Sequence, residues 1–102
     1  MKRFWIEPVA LGEIEDAAAW YESQRSGLGD ELIAEVDRTL ARIEHEEQFA
    51  TVPVATLSGR VVRRELVHRF PYVVFYVETP DSRRVIMIRR GNTDPRLWRS
   101  RL

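Results

Sequence analysis

The order of periodic segments predicts an α+β domain of the form β-α-α-β-β-β. An antiparallel helix hairpin packs on a four-stranded, largely antiparallel sheet, and a short helix ends the chain. Three observations carry this. Apolar residues recur at helical spacing from Ile14 to Tyr21 and again from Leu28 to Ile43. Residues 72–77 read Tyr-Val-Val-Phe-Tyr-Val, a β-branched and aromatic run typical of a buried strand. Phe70-Pro71 and Thr79-Pro80-Asp81-Ser82 cut the second half into strand-length pieces.

Residues 4–7 read as the first strand. Pro8 suits the first turn of a helix, where its missing N–H costs nothing. The first helix then runs to about Gln24, with Ile14, Ala17, Ala18 and Tyr21 on one face. Glu13, Glu15 and Asp16 lie in its first half, where they complement the positive end of the helix dipole. Ser26 is placed to cap the second helix. Leu28, Leu32, Ile33, Val36, Leu40 and Ile43 carry that helix to about Glu44. Helices joined by so short a loop lie antiparallel, and the sheet is the available cover for their apolar faces.

Residues 46–59 contain Pro53 and Gly59 and read as a loop with some extended character. Residues 60–68 form the second strand, 72–78 the third and 84–90 the fourth. Pro71 removes a backbone donor and fixes φ, so 69–76 is not one uninterrupted central strand. A tight turn at Phe70-Pro71 joins strands two and three. Gly91-Asn92-Thr93 ends the fourth. Asp94 followed by Pro95 has the form of an N-cap and first helical residue. Residues 95–101 then make the terminal helix, with Arg99 and Arg101 at its negative end. The main core is expected in the two helices and strands two to four. Trp98 serves as an anchor for the terminal helix in preference to a base-stacking platform. Trp20 and Tyr21 read as packing residues, and Trp5 as an exposed strand residue for a partner to cover. Arg69 is placed to pair with an acidic residue of helix one.

A chain of 102 residues is read as one domain, residues 1–102, able to bury roughly two thirds of its unfolded surface. No apolar run approaches bilayer length. Met1-Lys2-Arg3 could open a signal peptide, but Glu7, Glu13 and Glu15 interrupt any apolar region after it. The chain has no cysteine, which excludes disulfides and thiol catalysis and fits a reducing cytoplasm. No membrane association is expected.

The net charge of zero hides a split. Residues 1–50 carry five Lys or Arg against twelve Asp or Glu, and residues 51–102 carry eleven Arg against four Asp or Glu. Either acidic helices and a basic sheet neutralise each other, or a basic sheet surface meets an acidic partner. All eleven cations of the second half are arginine, whose planar fork pairs with carboxylate or phosphate and stacks on aromatic rings. The two histidines, His45 and His68, have no metal-ligand spacing, so neither metal nor cofactor is expected. No serine has evident His and Asp support for nucleophilic catalysis.

Three stretches carry a resemblance over nearly the whole chain. They are the opening run Glu13-Ile14-Glu15-Asp16-Ala17-Ala18-Ala19-Trp20-Tyr21-Glu22, the octet Arg69-Phe70-Pro71-Tyr72-Val73-Val74-Phe75-Tyr76, and Asp94-Pro95-x-x-Trp98. With the short length, they resemble the RelE/ParE toxin superfamily, whose members include plasmid-stabilisation proteins. The octet and the Asp-Pro-x-x-Trp run are closer to the ParE branch. The resemblance implies the toxin of a type II toxin–antitoxin pair, a growth inhibitor neutralised by a cognate antitoxin. ParE-like members act by trapping DNA gyrase. Ribonuclease members cleave mRNA on the ribosome without metal.

The resemblance can be carried over position by position. Ribonuclease members have an arginine after the tyrosine that opens the third strand, and this chain has Val73. After the strand-ending glycine they have a basic pair, and this chain has Asn92 and Thr93. Many gyrase-directed members read His-Gly-Arg-Arg-Asp where this chain reads Arg90-Gly91-Asn92-Thr93-Asp94. If the chain were a ribonuclease, Arg63, Arg64 and Arg90 would have to hold the phosphate. The same three are expected to meet antitoxin carboxylates. Arg96, Trp98, Arg99 and Arg101 are expected at the target, with direct nucleic-acid binding weak or only through the complex. An inactive antitoxin-binding regulatory scaffold is a third reading.

Overall fold

Strand Tyr72–Glu78 shows no polar alternation because both its faces are covered. The computed structural model describes residues 2–45, 52–91 and 94–102. In chain order the elements are β1 (Arg3–Ile6), α1 (Pro8–Gln24), α2 (Leu28–His45), β2 (Val52–Leu57), β3 (Arg60–Leu66), β4 (Tyr72–Glu78) and β5 (Ser82–Arg90). A terminal 3₁₀ helix, Pro95–Arg101, follows. Among the described residues the sheet has five strands in the order β1-β5-β4-β3-β2. β1 runs parallel to β5, and the other pairs are antiparallel. The class is the α+β expected.

The fifth strand corrects the sequence reading, which took residues 46–59 as a loop. Residues 46–51 lie outside the described set. Val52–Leu57 pairs with β3 through a two-residue turn at Ser58 and Gly59, both with positive φ (46° and 79°). That is the backbone a tight hairpin demands. Pro53 is tolerated because β2 is an edge strand, and the register shifts just after it.

One face of the sheet carries Tyr72, Val74, Tyr76, Val85 and Ile88 against Ile14 and Ala17 of α1 and Leu32, Val36 and Ile43 of α2. The opposite face has a core of its own: Val62, Val73, Phe75, Val77, Ile86 and Met87, closed over by Trp98. A bulge makes this second core possible. Phe75 faces Met87 and Tyr76 faces Val85, so Ile86 has no partner across the ladder. Ile86 and Met87 therefore both join the second core. The expectation that the main core needs only the helices and strands two to four missed this layer.

Helix ends are satisfied by tertiary contacts. Ser26 does not supply the cap of α2. Gly27, at φ +88°, precedes the helix, and the Glu22 carboxylate of α1 accepts from the N–H groups of Gly27 (2.9 Å) and Gly29 (3.0 Å). At the other end, the buried Arg83 guanidinium donates to the Ile43 carbonyl at 2.7 Å. Arg69 pairs with Glu31 of α2 at 3.0 Å, not with helix one. The first turn of α1 carries no acidic residue, so Glu13 sits too far along to act on the dipole.

The helices approach closely at Gly29, where a Cβ would lie 2.6 Å from the Ala18 carbonyl oxygen. Gly29→Ala is expected to destabilise the domain by about 1–3 kcal/mol, despite a helix-propensity gain of roughly 1 kcal/mol. A thermal melt followed by circular dichroism checks this. An unchanged or raised midpoint would show that the hairpin can open to admit the methyl group.

Candidate functional site

Strand alternation separates the arginines before any ligand is considered. Arg63 stands opposite Tyr76 and takes the helix side of the sheet, whereas Arg64 stands opposite Phe75 and takes the other. Arg90 stands opposite Tyr72, on the helix side but four residues along β4 from Tyr76, roughly 13 Å away. The three cations thus do not converge on one phosphate.

Arg63 is also engaged. Glu78 accepts from it at 2.9 Å and from Arg83 at 2.7 Å, with Lys2 at 3.4 Å. Burial pushes the Glu78 carboxyl up. Hydrogen bonds from Arg83 and Arg63, with the Lys2 and Arg83 charges, outweigh this and hold it below its ordinary value. This cluster ties β3, β4 and β5 to Lys2, just ahead of β1, under the C-terminal end of α2.

A second cluster lies where β1 runs out. β1 pairs with β5 only as far as Val85, which leaves the backbone edge of β5 open beyond it. Two side chains fill that edge. Glu13 of α1 accepts from the Ile88 N–H at 3.1 Å, and Arg101 donates to the Ile86 carbonyl at 3.0 Å. Arg101 pairs with the same Glu13 at 2.7 Å, and Arg89 closes the group with a further short contact. Burial raises the Glu13 pKa, but the bonds from Arg101, Arg89 and the Ile88 N–H lower it further, to a net depression.

The four residues expected at a target therefore divide. Trp98 is 3% exposed and forms part of the second core. Arg101 is tied to Glu13. The main-chain oxygens of Arg101 and Leu102 accept from Arg84, at 3.2 and 3.4 Å, and Leu102 also accepts from Arg60 at 3.4 Å. These bonds strap the terminal helix to the sheet. Arg96 and Arg99 remain on the outside with Leu97. Arg96 forms a fork on Asp94, which also caps the helix by accepting from the Arg96 N–H at 2.9 Å. The guanidinium of Arg99 lies 5.4 Å from the Trp98 ring.

A feature the sequence did not flag is the ridge at the Tyr72 end of the sheet. The Arg90 guanidinium sits 5.9 Å from the Trp20 ring and 5.8 Å from the Tyr72 ring. Trp20, read as a packing residue, is 52% exposed. Tyr21 links it to the core through edge-on contacts with Phe70 and Tyr72. Burial raises the Tyr72 phenol pKa, with Tyr21 adding to this and Arg90 opposing it. A groove of about 410 Å³ lies on one side of the ridge, with Glu13, Asp16 and Arg89 in its walls. A second, of about 380 Å³, lies on the other side, lined by Leu66, Phe70, Pro71 and Val73. Val73 is 3% exposed and belongs to the second core, so this side chain closes the floor of that groove. Asn92 and Thr93 lie outside the described residues.

No protein-family model, no curated protein and no solved structure matches this chain. Among the described residues no His, Asp and Glu cluster could hold a metal ion, and no helix is long and apolar enough to cross a membrane. What the surface offers chemically is cation and apolar contact. Arg64, Arg90 and Arg99 have no carboxylate at ion-pair distance among the described residues, and exposed Leu66 and Leu97 stand near them in sequence or space.

Proposed function

We propose that this chain is the toxin of a type II toxin–antitoxin pair, ParE-like in action, which binds and poisons DNA gyrase and is neutralised by its antitoxin. The reading begins from the resemblance in the opening helix, the Arg69–Tyr76 octet and the Asp94-Pro95-x-x-Trp98 run. The observation that supports a binder over a ribonuclease is the dispersal of Arg63, Arg64 and Arg90. Arg63 and Arg64 lie on opposite faces of the sheet, Arg90 lies roughly 13 Å along it from Arg63, and Arg63 is held by Glu78. Phosphoryl-transfer catalysis needs cations converging on one group. A poison that acts by binding needs a shaped surface. The terminal helix provides one, with Arg96, Leu97 and Arg99 outward and Trp98 and Arg101 fastening it from beneath.

Expression of the chain alone arrests growth on this reading, and the neighbouring antitoxin gene restores it. Purified protein blocks gyrase supercoiling. Arg99→Ala combined with Leu97→Ala, both on the outside, raises the concentration needed by roughly tenfold or more while the fold is kept. Codon-dependent cuts in mRNA during reconstituted translation would assign the chain to the ribonuclease class instead. Antitoxin binding without growth arrest would leave the inactive scaffold.

A further inference from the structure

We infer that β1 is the two-fold interface of a homodimer. Its outer edge pairs antiparallel with the same edge of a second copy, Trp5 facing Trp5, and joins the two five-stranded sheets into one. Three features of the strand point there. The first is that the two edges of the sheet are not alike. β2 carries Pro53 and a register shift just after it, features that blunt an edge strand. β1 has neither. Its odd-numbered residues are used inward. The Arg3 N–H donates to the Asp81 carbonyl and the Glu7 N–H to the Val85 carbonyl, both at 2.9 Å, with β1 and β5 parallel and in register from Arg3↔Ser82 to Ile6↔Val85. The backbone groups of Phe4 and Ile6 therefore point the other way, where the sheet has no further strand among the described residues.

The second is that the strand is complementary to itself. β1 and the residue after it read Arg3-Phe4-Trp5-Ile6-Glu7. Turned about a two-fold axis at Trp5, perpendicular to the sheet, Arg3 meets Glu7 of the second copy and Phe4 meets Ile6. Phe4 and Ile6, whose N–H and C=O groups point outward, are then the pair that exchanges hydrogen bonds in both directions. A slip by one residue sets those groups against Trp5, whose own are spent on β5. A slip by two keeps part of the ladder but loses both Arg3–Glu7 pairs.

The third lies in the side chains. Phe4 and Ile6 pack on the first core yet stay half-buried, so a partner strand covers their open flanks. Trp5, on the opposite face, is 36% exposed. The Arg3 guanidinium lies 5.3 Å from the Trp5 ring and has no carboxylate at ion-pair distance among the described residues. Glu7 accepts from Trp5 Nε1 at 3.2 Å and from Arg84 at 3.3 Å, both through Oε1. Its Oε2 accepts from no described residue, and the side chain keeps 31% exposure. Arg3 of the second copy can thus join Arg84 on one carboxylate, as two arginines already share Glu13 and two share Glu78. The pairing uses the β1 edge of both copies and leaves only blunted edges outside, so association stops at the dimer.

This interface does not depend on what the chain acts on, and its test reads association alone. A strand pair this short sits at the small end of protein interfaces, so a dissociation constant of roughly 10–100 μM is expected. Sedimentation velocity of the full chain, from about tenfold below to about tenfold above that value, should show a monomer passing to a dimer. Arg3→Glu and Glu7→Arg should each weaken self-association by roughly tenfold or more, because like charges then meet on both sides of the axis. Mixed in equal amounts, the two variants should associate within about threefold of wild type, since each altered position again meets its opposite charge. Trp5→Thr, which keeps a strand-forming residue, should weaken the dimer by roughly tenfold. Circular dichroism checks that each variant is folded. If Glu7→Arg is not, because it also loses Arg84, then Arg3→Glu and Trp5→Thr carry the test. A wild-type chain that stays monomeric throughout overturns the interface. So does a wild-type dimer that Arg3→Glu and Trp5→Thr leave within twofold. Folded charge variants whose mixture stays monomeric overturn the Trp5-centred register. A monomeric wild type that binds the product of the neighbouring antitoxin gene, with binding lost in Arg3→Glu, gives the edge to that partner and overturns the second copy.

Discussion

Trp98→Ala is expected to lower the stability of the domain by about 3–5 kcal/mol, the cost of emptying a large aromatic site in a core. Trp98 is the lid of the second core, over Val62, Val73, Phe75, Val77, Ile86 and Met87. Its loss uncovers the apolar sheet face beneath it, leaving Val54, Ala55 and Leu102 packed at that core's margin. In a chain of this size the melting temperature should fall by something on the order of 20 °C. Trp98→Phe is the informative control. The buried indole Nε1 has no hydrogen-bond partner among the described residues. Phenylalanine therefore removes a costly unmet donor while keeping most of the packing, and should lose only about 1 kcal/mol or less. If Trp98→Ala melts within a few degrees of wild type, the terminal helix is not part of the folded core. If Trp98→Phe is as damaging as alanine, the indole N–H is doing something the packing does not reveal.

The second large effect is expected at Glu13. This carboxylate neutralises Arg89 and Arg101 and accepts from the Ile88 N–H. Glu13→Ala leaves two guanidinium groups facing each other and a strand N–H unmet. A fully buried pair broken in this way costs about 3–5 kcal/mol. The Glu13 side chain keeps 15% exposure, so about 2–3 kcal/mol is expected once solvent screening is allowed for. Glu13→Gln keeps an acceptor for Ile88 and should cost about half as much. The carboxyl also makes the fold sensitive to acid. Its folded pKa lies below the ordinary 4.5, so its contribution is complete above that value and is lost as pH falls through the folded pKa. Glu78 acts in the same direction. Urea midpoints measured from neutral pH down to about pH 3 should therefore fall less steeply in Glu13→Gln than in wild type. Parallel curves would mean that Glu13 does not titrate with folding.

The helices and three of the later strands could be read from residue periodicity because their local pattern and final environment agree. Ile14, Ala17, Leu32, Val36 and Ile43 recur at helical spacing and meet in the first core. Asp94-Pro95 announces the terminal helix, and Asp94 does cap it. β2 was less legible, because Pro53 and Gly59 carry loop character in isolation. Ser58-Gly59 becomes a hairpin turn only once β3 is there to pair with. Trp98 could be named as an anchor, but a single tryptophan does not say what it covers. Arg90 was singled out for its charge, but its place between two rings left no signal, since Trp20 and Tyr72 are more than fifty residues apart in the chain.

By itself, the sequence determined the α+β class, the helix hairpin, the central strand and the concentration of arginine in the second half. Those depend on short-range periodicity and composition, which survive in any arrangement of the elements. Only the tertiary structure decided how each arginine is used. Arg63 and Arg64 are neighbours in sequence, yet strand pleating sends one to Glu78 and the other to the opposite face. Arg89 and Arg90 are likewise adjacent, and one is neutralised by Glu13 while the other rests on two rings. The reason is geometric. A charge acquires its role from the groups that the fold brings within a few ångströms of it, and for these residues those groups lie on other elements.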